Sequence, residues 1–159
     1  MKISISVEQY GSMTAELYPE IAPATTENFV KLIENKFFDG LIFHRIIEGF
    51  MIQGGGYTAD FAHKDAPAIT GEFAANGHKN DLKHTRGVLS MARTMDPNSA
   101  SSQFFIMHRD APHLDGQYAA FGKVIDGLDV VDAIASVATD FQDCPRVPVV
   151  IREIRIIND

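Results

Sequence analysis

Apolar residues in this chain recur at every second position, in short runs that turns interrupt. Ile3, Ile5 and Val7 face one way and Lys2, Ser4, Ser6 and Glu8 the other, which is the period of a half-buried strand. Tyr10-Gly11-Ser12 reads as a turn, and Met13, Ala15 and Leu17 then alternate with Thr14 and Glu16, so the N-terminus is expected to form a hairpin. Further strands are expected over 41–47, 50–53, 87–92, 102–107, 118–125 and 149–157. Only two segments carry helical spacing. Thr25, Phe29, Leu32 and Ile33 predict a helix over 23–35, with Pro23 in its first position and Glu27 complementing its positive end. Leu128, Val131, Ile134 and Ala135 share one face of a second, shorter helix. Many short strands and two helices predict a mostly β fold: an antiparallel sheet closed into a barrel, with helices over its open ends. Between 57 and 86 the periodicity fails, and a loop that long in a compact domain is often functional.

The 159 residues are expected to form one domain over 1–159. The net charge of −7 opposes non-specific binding to nucleic acid or anionic lipid. One cysteine, Cys144, cannot form an internal disulfide, and nothing around it marks a nucleophile. The N-terminal alternation is not a signal peptide, and no apolar run is long enough to cross a membrane. The chain is therefore expected to be soluble and cytoplasmic, and the lack of any coiled-coil pattern predicts a monomer.

Several chemistries lack their residues. No Gly-x-Ser-x-Gly elbow is present, and Gly54-Gly55-Gly56 lacks the Lys-Ser/Thr of a phosphate loop. His44, His63, His78, His84, His108 and His113 form no metal-binding spacing, and His78 and His84 read as members of a solvated loop. Neither metal nor cofactor is expected. What stands out is polar residues inside apolar strands. Arg45 lies within Phe43-His44-Arg45-Ile46-Ile47, and arginine is rarely buried unpaired, so it must point outward or find a partner. Met51 shares a strand face with Gln53, and Gln103 with Phe105. If Phe104 and Ile106 fill the barrel, these residues form an outward apolar patch with polar anchors. Such a patch either binds something or lies beneath a loop.

The run from Phe43 through Arg45, Phe50, Met51 and Gln53 to Gly55 closely resembles the signature of the cyclophilins, a class of peptidyl-prolyl cis-trans isomerase. Leu89-Ser90-Met91-Ala92, Ser102-Gln103-Phe104-Phe105-Ile106, Leu114-Asp115-Gly116 and Phe121-Gly122-Lys123-Val124 resemble the family's later blocks, in order. The resemblance runs from about residue 2 to residue 157. It implies a closed eight-stranded antiparallel barrel capped by two α-helices. It also implies that Arg45 is the catalytic arginine, with Gln53 beside it. Phe50, Met51, Phe105 and Leu114 would hold the proline ring, and Ala92, Arg93, Gln103, His113 and Tyr118 would line the groove. The implied partners are proline-containing peptides and protein clients. His113 stands where strongly cyclosporin-binding members carry tryptophan, which implies weak cyclosporin binding. Arg93 replaces an asparagine that acts mainly through its backbone, and Tyr118 replaces a histidine.

These residue types suit the reaction. Rotation about an X-Pro bond breaks amide resonance, against a barrier of roughly 18–20 kcal/mol, but cleaves nothing. The twisted prolyl nitrogen gains a lone pair, and a fixed charged donor such as Arg45 stabilises it more than either ground state. The competing expectation is a proline-peptide binding module, for which Arg45 would be unnecessary.

Overall fold

Eight strands and two helices follow one another in the computed structural model, which describes residues 1–157. In chain order they are β1 (Lys2–Val7), β2 (Gly11–Leu17), α1 (Pro23–Glu34), β3 (Arg45–Ile47), β4 (Met51–Gly54), β5 (Val88–Met91), β6 (Phe104–Met107), β7 (Ala120–Asp126), α2 (Leu128–Ala135) and β8 (Ile151–Ile157). The N-terminal hairpin pairs Ile3 with Ala15 and Ile5 with Met13, which places the expected apolar alternation on one face. All strand pairs are antiparallel, in the order β3-β4-β6-β5-β7-β2-β1-β8.

The expected closed barrel is corrected to an open, eight-stranded one, because β3 and β8 are the two edges of the sheet. The reason lies in the 41–47 run, which is not one strand. Leu41 and Ile42 make isolated bridges to Thr58 and Val150, and only Arg45–Ile47 forms a ladder with β4. Main-chain bonds before β3 still tie the two edges together: Gly40 N to Ile151 O at 2.8 Å, Ile151 N to Leu41 O at 2.8 Å, and Phe43 N to Val149 O at 3.0 Å. At the end of β4, a Cβ on Gly54 would stand 2.6 Å from the Ile42 carbonyl oxygen, so only glycine allows this approach.

Two apolar clusters lie on the two faces of the sheet. The larger, inside, includes Ile3, Ile5, Met13, Leu17, Ile52, Leu89, Phe104, Ile106 and Phe121. From α1, Phe29 enters it with ring centroids 4.9 Å from Phe38, 5.3 Å from Phe104 and 5.0 Å from Phe121. The smaller cluster is built on Met51, Phe105, Met107, Leu114 and Ala120. Phe104 and Ile106 thus point inward while Phe105 points outward, as the alternation predicts.

The 57–86 segment holds one short 3-10 turn at Ala74–Asn76 and is fastened by buried polar residues. Glu72 accepts from Ala24 N at 3.2 Å, Thr25 N at 2.6 Å and Thr25 Oγ1 at 2.6 Å. It thereby supplies a carboxylate at the α1 N-terminus, where backbone N–H groups lack helical partners. This corrects the role expected of Glu27: the first turn of α1 holds no acidic residue, and its counter-charge comes from far along the chain. Asn80 Nδ2 donates to the carbonyls of Glu72 at 3.0 Å and Ala120 at 2.9 Å. The solvated-loop reading of the histidines is also corrected. His84 is buried, and His78 Nε2 bonds the Ile21 carbonyl at 3.0 Å.

Candidate active site

Sheet register assembles the outward-facing residues. Arg45 pairs with Gln53 across β3 and β4, Gln53 with Phe105 across β4 and β6, and Phe105 with Ser90 across β6 and β5. Directly opposed residues share a sheet face, so these four form one row. Beside the row lies a cavity of about 140 Å³, lined by Arg45, Phe50, Met51, Gln53, Ala92, Arg93, Phe105, Leu114 and Tyr118. Met51 is 2 % exposed, Phe105 5 % and Leu114 8 %. The apolar residues are therefore not an open patch. They are packed from behind and present only enough surface to floor a small pocket. The Tyr118 ring stands edge-on to Phe105, with centroids 5.8 Å apart.

The polar wall is a relay of side chains. Arg45 Nη1 donates to Gln53 Oε1 at 3.4 Å, and Gln53 Nε2 donates to Gln103 Oε1 at 3.0 Å. Arg45 itself is exposed. Gln103 lies against Gly56, where a Cβ would come within 2.5 Å of its amide group. Gln103 also borders an adjoining hollow of about 250 Å³, with His63, Thr94, Ser99 and Ser101. Among the described residues no cluster of His, Cys, Asp or Glu could hold a metal.

Behind the pocket, His84 lies flat against Phe105, at 6.0 Å between ring centroids. Its Nδ1 is 3.1 Å from Asp115 Oδ1 and its Nε2 is 2.8 Å from Ser90 Oγ. Burial pushes the His84 pKa down, against the pull of Asp115. In the neutral ring, Nδ1–H donates to the carboxylate and Nε2 accepts the Ser90 hydroxyl proton. The arrangement has the order of a hydrolase triad, but Ser90 is completely buried, closed off from solvent. It locks the strand under Phe105 to the 111–118 loop. Sequence spacing did not reveal His84, Asp115 or Glu72, because each acts on a partner distant along the chain.

A family model described as cyclophilin type peptidyl-prolyl cis-trans isomerase/CLD matches residues 2–156. The chain belongs to this family. Among its relatives, the peptidyl-prolyl cis-trans isomerase of Acinetobacter baylyi is 45 % identical over 155 residues, covering 92 % of this chain and 80 % of the relative. Peptidyl-prolyl cis-trans isomerase B of Escherichia coli K12 is 39 % identical over 159 residues, covering 92 % and 94 %. The crystal structure of a cyclophilin-type isomerase from Cryptosporidium parvum, in the presence of the dipeptide Ala-Pro, superposes with a TM-score of 0.86. It is 30 % identical, over all of both chains.

Arg93 and His113 have defined surroundings in this cyclophilin. The Arg93 side chain is more than a bystander to its backbone. Its guanidinium sits 4.8 Å from the Phe73 ring and 4.7 Å from the Tyr118 ring, and it donates to the carbonyls of Gln117 at 2.6 Å and Thr94 at 2.9 Å. Arg93 therefore braces Tyr118 at the pocket edge. His113 is exposed and does not line the cavity; its ring stacks on Phe50, with centroids 5.8 Å apart.

Proposed function

We propose that this peptidyl-prolyl isomerase turns X-Pro bonds by holding the proline ring and stabilising the twisted amide through Arg45. The observation that carries the reading is the pairing of Arg45 with Gln53 at the edge of an apolar cavity of about 140 Å³. Phe50, Met51, Phe105 and Leu114 grip the ring, so the rest of the peptide rotates. Gln53 receives the Arg45 N–H and is itself held by Gln103, which ties the guanidinium to the polar wall of the pocket. It also faces the substrate backbone. Ala92, Gln103, His113 and Tyr118 flank the groove, with Arg93 securing Tyr118.

Arg45 is exposed in the free protein and becomes covered when a peptide docks. Loss of water then strengthens its attraction for the developing lone pair, since charge interactions grow as the local dielectric falls. A hundred-thousandfold acceleration needs about 7 kcal/mol, at 1.36 kcal/mol per decade. One charged donor in a desolvated site is of the right order. The same pocket accounts for substrates that are proline-containing peptides and unfolded protein clients. His113 stacked on Phe50 supplies less apolar area than a tryptophan, which favours weak cyclosporin binding.

The test is cis/trans exchange of an Ala-Pro peptide, followed by NMR with the native protein and with Arg45→Ala. Catalysis through Arg45 predicts a loss of at least about a hundredfold in exchange rate, with little change in peptide affinity. Native protein that binds the peptide without accelerating exchange would make the pocket a recognition module.

A further inference from the structure

Arg45 lines a second cavity, of about 230 Å³, together with His44, Tyr57, Phe61, Gln142 and Cys144. None of those five borders the smaller cavity, so Arg45 is the wall between the two.

The walls of the second cavity are tied turns. Phe61 N donates to the Thr58 carbonyl at 2.9 Å, Thr58 N to the Ala62 carbonyl at 2.9 Å, and Ala62 N to Thr58 Oγ1 at 3.0 Å. This turn holds Phe61 at φ +65° and leaves the residue 55 % exposed. A bulky side chain in that left-handed region is rare and costs energy, so it persists only where the surrounding bonds enforce it. In the other wall, Asp140 Oδ1 accepts from Gln142 N at 2.8 Å and Cys144 N at 3.1 Å. The Asp143 carbonyl accepts from Ile46 N at 2.8 Å and anchors the turn to β3. Both walls stand formed before anything binds, which lowers the ordering cost of binding.

The lining is neutral apart from Arg45. Burial, with the neighbouring Arg45 and His63 charges, lowers the His44 pKa to about 4. The His44 ring packs against Tyr57 at 4.7 Å. Burial also raises the Cys144 pKa, so the thiol stays protonated. An acidic side chain entering here would pair with Arg45 and occupy the guanidinium that the prolyl amide needs. An apolar side chain would instead cover Phe61 and Tyr57 and leave Arg45 free.

We infer that the cavity lined by His44, Tyr57, Phe61 and Cys144 is a second specificity subsite, which takes an apolar or aromatic side chain flanking the proline of the same peptide. The inference rests on the reading of Arg45 as the group that acts on the prolyl bond. Extended peptide advances about 3.3 Å per residue, so the occupant lies within a few residues of the proline.

The experiment compares catalytic efficiency on Ala-Pro peptides in which Leu, Phe, Asp or Lys is placed in turn at each of the three positions before and after the dipeptide. Native protein, Phe61→Ala and Cys144→Lys are each normalised to their own turnover of the minimal Ala-Pro peptide. At one position, Leu and Phe should be preferred over Asp and Lys by about fivefold, the gain from half-burying such a side chain. Both variants should lower that ratio to about twofold or less. A native protein that turns over the minimal peptide with no apolar preference at any position would overturn the subsite and leave the reading of Arg45 standing. So would a preference that survives both substitutions. No turnover of the minimal peptide would overturn the reading of Arg45, and the subsite with it.

Discussion

Removing the Glu72 carboxylate is expected to destabilise the fold more than removing any surface acid. Glu72 is 6 % exposed and accepts three hydrogen bonds, from Ala24 N, Thr25 N and Thr25 Oγ1. Thr25 is itself 1 % exposed, so water cannot readily replace the lost acceptors. A hydrogen bond to a charged group contributes about 1.5–3 kcal/mol, and loss of a helix N-cap alone costs about 1 kcal/mol. The three bonds share one carboxylate and are not additive, so Glu72→Ala should cost about 3 kcal/mol. For a chain of this size that is a fall of roughly 6–12 °C in Tm. Glu72→Gln keeps one acceptor oxygen and should lose about half as much. Urea unfolding followed by circular dichroism measures both, with the denaturant slope checking that the unfolded states match. A cost under about 1 kcal/mol for Glu72→Ala, at unchanged slope, would refute the claim that this residue caps α1 in a dry site.

A methyl group at position 56 should act on the site without unfolding the protein. Its Cβ meets the flexible end of Gln103, so Gly56→Ala should displace that side chain and release Gln53. Loss of one such hydrogen bond, about 1 kcal/mol, predicts a fall of roughly fivefold in exchange catalysis with native circular dichroism. His44 should make stability depend on pH. Burial first, then the Arg45 and His63 charges, depress its folded pKa to about 4 from 6.5. Between those values the unfolded chain binds more protons, so this contribution is fully present above pH 6.5 and is lost as pH falls towards 4. His44→Phe should flatten the unfolding free energy over that window, and parallel pH curves for both proteins would contradict the assignment. At the pocket edge, His113→Trp should raise cyclosporin affinity by about tenfold through added aromatic contact. Equal titration curves for the two proteins would rule this out.

Local pattern and motif carried much of the architecture. Alternation gave the apolar faces of β1 and β2 correctly, although Gly11 and Ser12, read as a turn, already pair with Val7 and Ser6 in the ladder; it also sent Phe104 and Phe105 to opposite faces of the sheet. Apart from the start of β3, strand ends moved by at most two residues, as with β7, which begins at Ala120 rather than 118. The break at Phe43-His44 escaped the pattern, because an apolar run reads as one strand whether or not its backbone finds a partner. The polar residues at 72, 80 and 84 were equally opaque, since a Glu, Asn or His in an aperiodic segment looks solvated until its partner is known.

By itself, the order of residues determined the strand periods, the two helices and the presence of Arg45, Gln53, Phe105 and Leu114 in recognisable motifs. Those features depend on neighbours a few positions away, so they can be read along the chain. Tertiary structure alone decided that the sheet stays open between β3 and β8 and that Glu72 serves α1. It also placed His84 behind Phe105 and made Arg45 the wall shared by two cavities. Each of these rests on contacts between segments far apart in sequence. Which segments meet is settled by how the whole core packs, not by any one of them.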